Sequence, residues 1–162
     1  MLRRTLAVLA LVLYAQVGAA QTLNSAMPSL QGLRSLGVGI LIDHGEAAVP
    51  YIDTAGLRVK VELDLRRAGV LVTTPAPALL VVHITVLTLD NGHAYSYDLR
   101  LLEPATLMRS PAAGASWVST WEQGGVGTSP PSGLSELVAK GVQELVESFL
   151  NDYLAANPPT PR

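Results

Sequence analysis

The sequence contains no cysteine among its 162 residues. A disulfide framework, a thiol nucleophile, an iron–sulfur cluster and a cysteine-type zinc site are therefore excluded. Charged residues are also scarce, since they make up 15% of the chain, whereas an average globular domain has about a quarter. Because 49% of the residues are hydrophobic, much of the chain must lie in a core or in a segment that is removed. The length suits one domain.

Clusters of basic residues are missing as well. The 11 Lys and Arg residues are scattered, and 13 Asp and Glu residues outnumber them, which gives a formal net charge of -2. Proteins that bind nucleic acids place clustered Lys and Arg against the phosphates. The composition therefore excludes a nucleic acid as the partner.

The N-terminus has the three zones of a secretory signal peptide. Two arginines near the start precede the apolar residues 6–14, and Gly18 and Ala20 are the small residues of a cleavage site. We predict a signal peptide over residues 1–20 and a mature chain that is periplasmic or secreted. Cleavage removes both arginines and leaves a formal net charge of -4. A retained membrane anchor is the alternative, although Gln16 interrupts the stretch, which is shorter than the ~20 apolar residues that span a bilayer.

Hydrophobic periodicity separates helices from strands after a loose lead-in over residues 21–35. Asp53 is a typical helix N-cap and Gly69 suits a helix end, so a first helix is predicted over residues 54–68. Apolar steps of three and four residues predict a second helix over residues 134–154. Strands are predicted over residues 36–42, 79–89, 94–102 and 116–123, and a disordered tail over residues 157–162.

This order, β-α-β-β-β-α, predicts a single α+β domain over residues 36–156. Each helix has one apolar stripe and the central hairpin has one apolar face. Both helices are therefore expected on one face of a mostly antiparallel four-stranded sheet. The first strand, the first helix and the next strand are expected to form a right-handed crossover. The predicted fold is a two-layer sandwich whose other sheet face is open.

Asn91 and Gly92 predict the turn of the central hairpin, because both residues tolerate the positive φ angles of a type I′ turn. This turn pairs Val82 with Leu101 and gathers the apolar side chains on one face. A shift of one residue would mix apolar and polar side chains on both faces. The side-chain pattern therefore supports this register.

The polar face of the hairpin carries a candidate chemical group. His83 is expected opposite Arg100 and diagonal to Asp98, with Thr85 on the same face. A histidine beside a carboxylate is the beginning of an acid–base pair. The sequence provides no nucleophile elbow and no oxyanion hole around it. We therefore interpret the group as a solvated polar patch within an interaction surface.

Residues 43–46, Asp-His-Gly-Glu, are the densest group of potential metal ligands. Carboxylate oxygens and an imidazole nitrogen can bind zinc or another divalent ion. A closed zinc site needs more ligands than this segment offers, and no HExxH motif supplies them. We expect a polar loop and no cofactor. A metal-dependent hydrolase centred on Asp43, His44 and Glu46 is the alternative.

Aromatic residues are concentrated on the last two predicted strands. Tyr95 and Tyr97 are expected to line the core beneath a helix. The face that Trp117 and Trp121 occupy depends on whether Pro104 marks a bulge or an edge position. A tryptophan on an uncovered face would suit contact with a protein or a glycan.

Residues 124–133 are rich in glycine and are predicted to be a flexible connection between the last strand and the last helix. Their N–H groups could face an anion ahead of a helix. The segment matches neither the GxxxxGK[ST] phosphate loop nor the GxGxxG dinucleotide fingerprint. We therefore expect no phosphate site here.

The export signal and the order of elements over residues 36–155 resemble small periplasmic domains of the bacterial envelope, such as the LptE-like assembly proteins and the N-terminal domain of TolB. The resemblance is one of architecture, with no motif residue to carry over. It implies an interaction or assembly role in the periplasm without catalysis.

Export, small size and the lack of an assembled catalytic group predict a non-enzymatic protein that binds a protein or a cell-envelope component. A carrier of an apolar ligand between the sheet and the helices is a further alternative, although large side chains are expected to fill that layer. The predicted interaction surface consists of His83, Thr85, Asp98, Arg100, Trp117 and Trp121.

Overall fold

The computed structural model describes residues 28–44, 52–111 and 114–158. The predicted signal peptide, residues 21–27 of the lead-in, Glu46 and residues 159–162 of the tail lie outside these residues. Among the described residues, no helix is both long enough and apolar enough to span a bilayer. The elements are a three-ten helix at Pro28–Leu30, β1 at Ser35–His44, α1 at Thr54–Arg67, β2 at Leu71–Val72, β3 at Leu79–Leu89, β4 at Gly92–Thr106, β5 at Ala115–Ser129 and α2 at Leu134–Ala156.

The strands form one mixed sheet in the order β2-β1-β3-β4-β5. β1 runs parallel to β2 and β3, whereas β4 is antiparallel to both β3 and β5. The α+β class with two helices is confirmed, and the mostly antiparallel four-stranded sheet is corrected to a mixed sheet of five strands. The additional strand, β2, has two residues, which is too short for a hydrophobic period to predict it.

Helix α1 begins where the sequence predicts and ends within one residue of that prediction. The Asp53 carboxylate accepts a hydrogen bond from the Gly56 N–H at 2.9 Å, which satisfies an amide that the start of a helix leaves unpaired. Gly69 follows the last turn with φ at 87°, a conformation that glycine adopts more easily than other residues. The buried residues of α1 are Leu57, Val61 and Leu65.

Both helices pack on the same face of the sheet, which we call the inner face. Buried residues of α2 recur at steps of three and four residues, as predicted, and join α1 in one hydrophobic cluster. Alternate residues of a strand point to opposite faces, so the strand residues in this cluster define the inner face. On β1 and β3 they are Leu36, Val38, Leu80, Val82, Ile84 and Val86.

In the hairpin between β3 and β4, each residue of β3 pairs with a residue of β4 that lies two positions earlier in the sequence than predicted. Val82, for example, pairs with Leu99 and not with Leu101. Asp90 and Asn91 form the turn, and Gly92 begins β4 opposite Leu89. Gly92 has φ at 151°, and a side chain there would collide with the carbonyl oxygen of Ser129. Glycine is therefore needed inside the sheet and not in the turn. A shift of two residues keeps every side chain on its predicted face but changes its cross-strand partner.

Residues 124–129 are the last six residues of β5, and the prediction of a flexible connection is wrong there. A Cβ at Gly125 would lie 2.5 Å from the Tyr97 hydroxyl, and one at Gly127 would lie 2.6 Å from the Tyr95 hydroxyl. The two tyrosine rings therefore lie across the glycines in place of side chains on β5. Because the main chain is extended and paired with β4, its N–H groups do not converge on an anion.

Arg58 covers part of the edge of β1. β2 pairs only with the first two residues of β1. Beyond them, Arg58 donates from Nη2 to the carbonyl oxygen of Val38 at 2.7 Å, and its Nε contacts Glu62 at 3.2 Å. A charged side chain at a sheet edge hinders pairing with another chain. Helix α1 therefore shields this edge as well as packing on the inner face.

Candidate interaction surface

The outer face of the sheet carries exposed apolar side chains from three strands. Leu41 of β1 is 58% exposed, Leu87 of β3 is 62% exposed and Val126 of β5 is 84% exposed. Both helices lie on the inner face, and no described element packs over these residues. Exposed apolar side chains on a face that no element covers are candidates for contact with a partner. The outer face is therefore the candidate functional surface.

A bulge in β5 decides which face each tryptophan occupies. Leu101 of β4 pairs with Trp121, whereas the next residue, Leu102, pairs with Ser119. Thr120 is therefore the extra residue of the bulge, since it has no paired residue on β4. Side chains alternate along a strand, so one extra residue reverses the faces on either side of it.

Trp121 lies in the core and Trp117 lies on the outer face. Trp121 is 4% exposed, its Nε1–H donates to Asp152 Oδ2 at 2.9 Å, and its ring meets that of Phe149 edge-on. Trp117 is 52% exposed. Pro104 does not mark the bulge; it lies beyond the end of β3, where β4 has a neighbour on one side only, which is the edge position that the sequence allowed.

Four charged or titratable side chains form a cluster on the outer face. His83 lies directly opposite Asp98, and not opposite Arg100 as predicted. His83 Nδ1 is 3.3 Å from Asp98 Oδ2, while Arg100 Nε is 2.6 Å from Asp98 Oδ1 and 3.2 Å from Glu122 Oε1. The Arg100 contacts are charge contacts and not aligned hydrogen bonds, since neither Arg100 Nε nor Asp98 Oδ1 has a hydrogen-bond partner. Arg100 thus bridges two carboxylates.

The charged cluster lies on three flat, paired strands. Asp98 could orient the His83 ring, which is the first requirement of an acid–base pair. The neighbouring hydroxyls, Thr85 and Ser96, face each other on flat paired strands. Such strands do not aim two N–H groups at one oxygen, as stabilisation of an oxyanion requires. The arrangement thus consists of a histidine beside a carboxylate and a guanidinium between two carboxylates.

A shallow groove of about 480 Å³ adjoins the cluster at the hairpin end of the outer face. Leu87 on β3 and Val126 on β5 form its two sides, and the small residues Ala94 and Ser96 of β4 form its floor. No charged residue lines it, and its volume lies within the range of small binding pockets, roughly 300–1,000 Å³. The remaining lining residues are Thr85, Tyr95, Gly127 and Thr128.

Five of the six predicted surface residues lie on the outer face, and Trp121 is the exception. The prediction missed Glu122, which lies opposite Arg100, and Val126. Val126 was missed because the glycines around it indicated a loop. Glu122 lies within a predicted strand, but its position opposite Arg100 depends on the bulge at Thr120, which no local pattern in the sequence indicates.

The metal-binding alternative receives no support from the end of β1. Asp43 and His44 are its last two residues, so their side chains leave the sheet on opposite faces. Glu46 lies outside the described residues. Within the parts of the chain that the structure describes, no three potential His, Asp or Glu ligands come together. Asp43 and His44 are therefore not placed to bind one ion together.

The layer between the sheet and the helices is filled by side chains. Phe149 of α2, Leu65 of α1 and Ile84 of β3 are each fully buried there. The rings of Phe149 and Trp121 lie 5.1 Å apart. An apolar ligand would have to displace closely packed side chains, which costs free energy. The carrier alternative thus has less structural support than a surface role.

No protein-family model matches the chain, and no curated protein matches it. Several solved structures are similar in outline. The hypothetical protein CT253 from Chlamydia trachomatis is 12% identical with a TM-score of 0.43, and the match covers 75% of this chain and 99% of that one. The PelC dodecamer from Paraburkholderia phytofirmans is 15% identical with a TM-score of 0.41, covering 74% and 87% of the two chains.

A minor lipoprotein from Acinetobacter baumannii is 9% identical with a TM-score of 0.38, and the match covers 81% of this chain and 99% of that one. Similarity at this level establishes neither a family nor an activity. The resemblance to LptE-like proteins and to TolB stays a prediction.

Proposed function

We propose that the protein is exported and acts without catalysis, by binding a protein or another component of the cell envelope through the outer face of its sheet. The observation that carries this proposal is the exposure of Leu87, Trp117 and Val126 on a face that neither helix contacts. Burial of such side chains against a partner is favourable by about 25 cal/mol per Å² of apolar area. Export is supported by the signal-peptide pattern of residues 1–20.

The charged cluster supports binding over catalysis. The charges of Asp98 and Arg100 compensate each other, and both side chains are partly exposed to water on the outer face. Catalytic groups gain most from a water-excluded site, where electrostatic interactions are stronger. Protein-binding surfaces combine an apolar centre with a polar rim, and here the charged cluster adjoins the groove between Leu87 and Val126.

Site-specific photo-crosslinking in the organism that encodes the protein tests this proposal. A photoreactive amino acid replaces Val126 on the outer face or, as the matched control, Val59 on α1, which is 67% exposed. We expect discrete adducts from position 126 and none of the same size from position 59. The absence of adducts at position 126, or identical adducts at both positions, would contradict the proposal.

A further inference from the structure

The groove on the outer face admits a single row of side chains. Its sides are on β3 and β5, two strand spacings apart, which is roughly 9–10 Å between main chains. Leu87 and Val126 project from those strands and narrow the opening further. An α-helix with its side chains is about 10–12 Å wide and would rest on the rim. The groove therefore fits an extended segment that inserts its side chains between Leu87 and Val126.

The net charge of the outer face indicates which charge a partner should carry. The described strand residues that point outward include three carboxylates, of Asp43, Asp98 and Glu122, and one guanidinium, of Arg100. The Glu122 side chain is about half exposed and touches Arg100 through one oxygen. An anionic lipid surface would be repelled by this excess of negative charge. A basic group would be attracted, and Glu122 is the exposed acceptor for it.

From these observations we infer that the outer face binds an extended polypeptide segment of a partner protein, with apolar side chains in the groove and a Lys or Arg on Glu122. Val126 and Glu122 lie on the same face of β5, four residues or about 14 Å apart. An extended segment has the same rise, so its basic residue lies four positions from the apolar residue that contacts Val126. The inference rests on the proposed use of the outer face and adds the chemistry of the partner.

Selection from a displayed library of short random peptides, against the protein purified after export, tests the inference. We expect the enriched peptides to combine spaced apolar residues with Lys or Arg. Val126→Asn should weaken their binding about tenfold or more, because it removes a buried apolar contact. Glu122→Gln should weaken it about two- to fivefold, the effect of one exposed ion pair, and high salt should act in the same direction. Val59→Asn on α1 is the matched control and should leave binding unchanged.

Three results would overturn the inference. Enrichment of acidic or uncharged peptides that still require Val126 would refute the basic partner while leaving the outer face as the binding surface. Binding of the basic peptides that is insensitive to Val126→Asn would place them elsewhere on the molecule. Val126-dependent binding to vesicles of anionic phosphatidylglycerol would show that the partner is a membrane. Circular dichroism of each variant establishes that it is folded.

Discussion

Trp117 and Trp121 have opposite roles although only three residues separate them in the sequence. The extra residue at Thr120 reverses the alternation of β5 between them. Trp121 donates a hydrogen bond to Asp152 and packs against Phe149, whereas Trp117 remains on the outer face. A tryptophan in a strand therefore cannot be assigned to a core or to a surface until the register of its strand is known.

This difference predicts the effect of removing each indole N–H. Trp121→Phe leaves the Asp152 carboxylate without this donor, and a hydrogen bond to a charged group contributes about 1.5–3 kcal/mol. We expect a decrease of about 2 kcal/mol in the free energy of unfolding in urea. Trp117→Phe is the control and should change it by less than about 0.5 kcal/mol, as exposed substitutions do. Equal effects of the two substitutions would refute the assignment of faces.

Tyr97 predicts a dependence of stability on alkaline pH. Partial burial raises the pKa of its hydroxyl, and the nearby Glu144 and Tyr95 raise it further. Above about pH 10 the unfolded chain loses this proton while the folded chain retains it, so the folded state becomes less stable as the pH rises. Tyr97→Phe should reduce this loss in urea unfolding measured across the alkaline range. If the free energy of unfolding falls with pH as steeply in Tyr97→Phe as in the original protein, Tyr97 does not contribute to this dependence.

At the scale of elements, contact between Tyr97 and two glycines joins β4, β5 and α2. The ring lies against Gly125 on β5, and a Cβ at Gly141 on α2 would collide with it. Alanine normally stabilises a helix by about 1 kcal/mol relative to glycine. At Gly141 the added methyl group must instead displace a ring that Gly125 holds from the other side.

Gly141→Ala should therefore lower the free energy of unfolding, since overpacking costs about 1–3 kcal/mol. In a Tyr97→Val background the obstacle is gone, and the same substitution should raise stability through helix propensity. A double-mutant cycle in urea measures both effects. The same sign in both backgrounds would contradict the proposed contact.

Arg58 connects α1 to the edge of β1 and provides a second prediction at this scale. Arg58→Ala removes the hydrogen bond to Val38 and the contact with Glu62, and it should cost about 1 kcal/mol. Arg66→Ala removes an ion pair with the same Glu62 carboxylate and should cost about 0.2–0.5 kcal/mol. Urea unfolding distinguishes the two, and an equal loss would mean that shielding of the edge contributes nothing.

The sequence predicts those elements whose signals are local. The Asp53 cap and Gly69 flank α1, and the apolar stripe of α2 lies within that helix. The hairpin register depends instead on the close contact between Gly92 and the carbonyl oxygen of Ser129. The extension of β5 over residues 124–129 depends on tyrosines of β4 that pack against its glycines. Contacts between residues far apart in the chain decide these features, so neither turn propensity nor glycine content could reveal them.

At the scale of the whole molecule, the two faces of the sheet differ in what covers them. The inner face packs against both helices, whereas the outer face carries exposed apolar side chains that no described element covers, beside a cluster of charged residues that contact one another. The sequence could predict the polar part, because a two-residue shift of register leaves His83, Thr85, Asp98 and Arg100 on the same face. The groove also requires residues 126–128 to be part of β5, whereas the sequence predicts a flexible connection there.

Cysteine labelling measures directly whether a partner covers the outer face. The chain has no cysteine, so Val126→Cys and Val59→Cys each create one reactive site. A maleimide should label both variants rapidly in the purified protein, because both positions are largely exposed. In intact cells with a permeable outer layer, we predict that position 126 is protected and position 59 is not. Equal labelling in cells, or protection of position 126 in the purified protein, would contradict an outer face that is open in isolation and occupied in the cell.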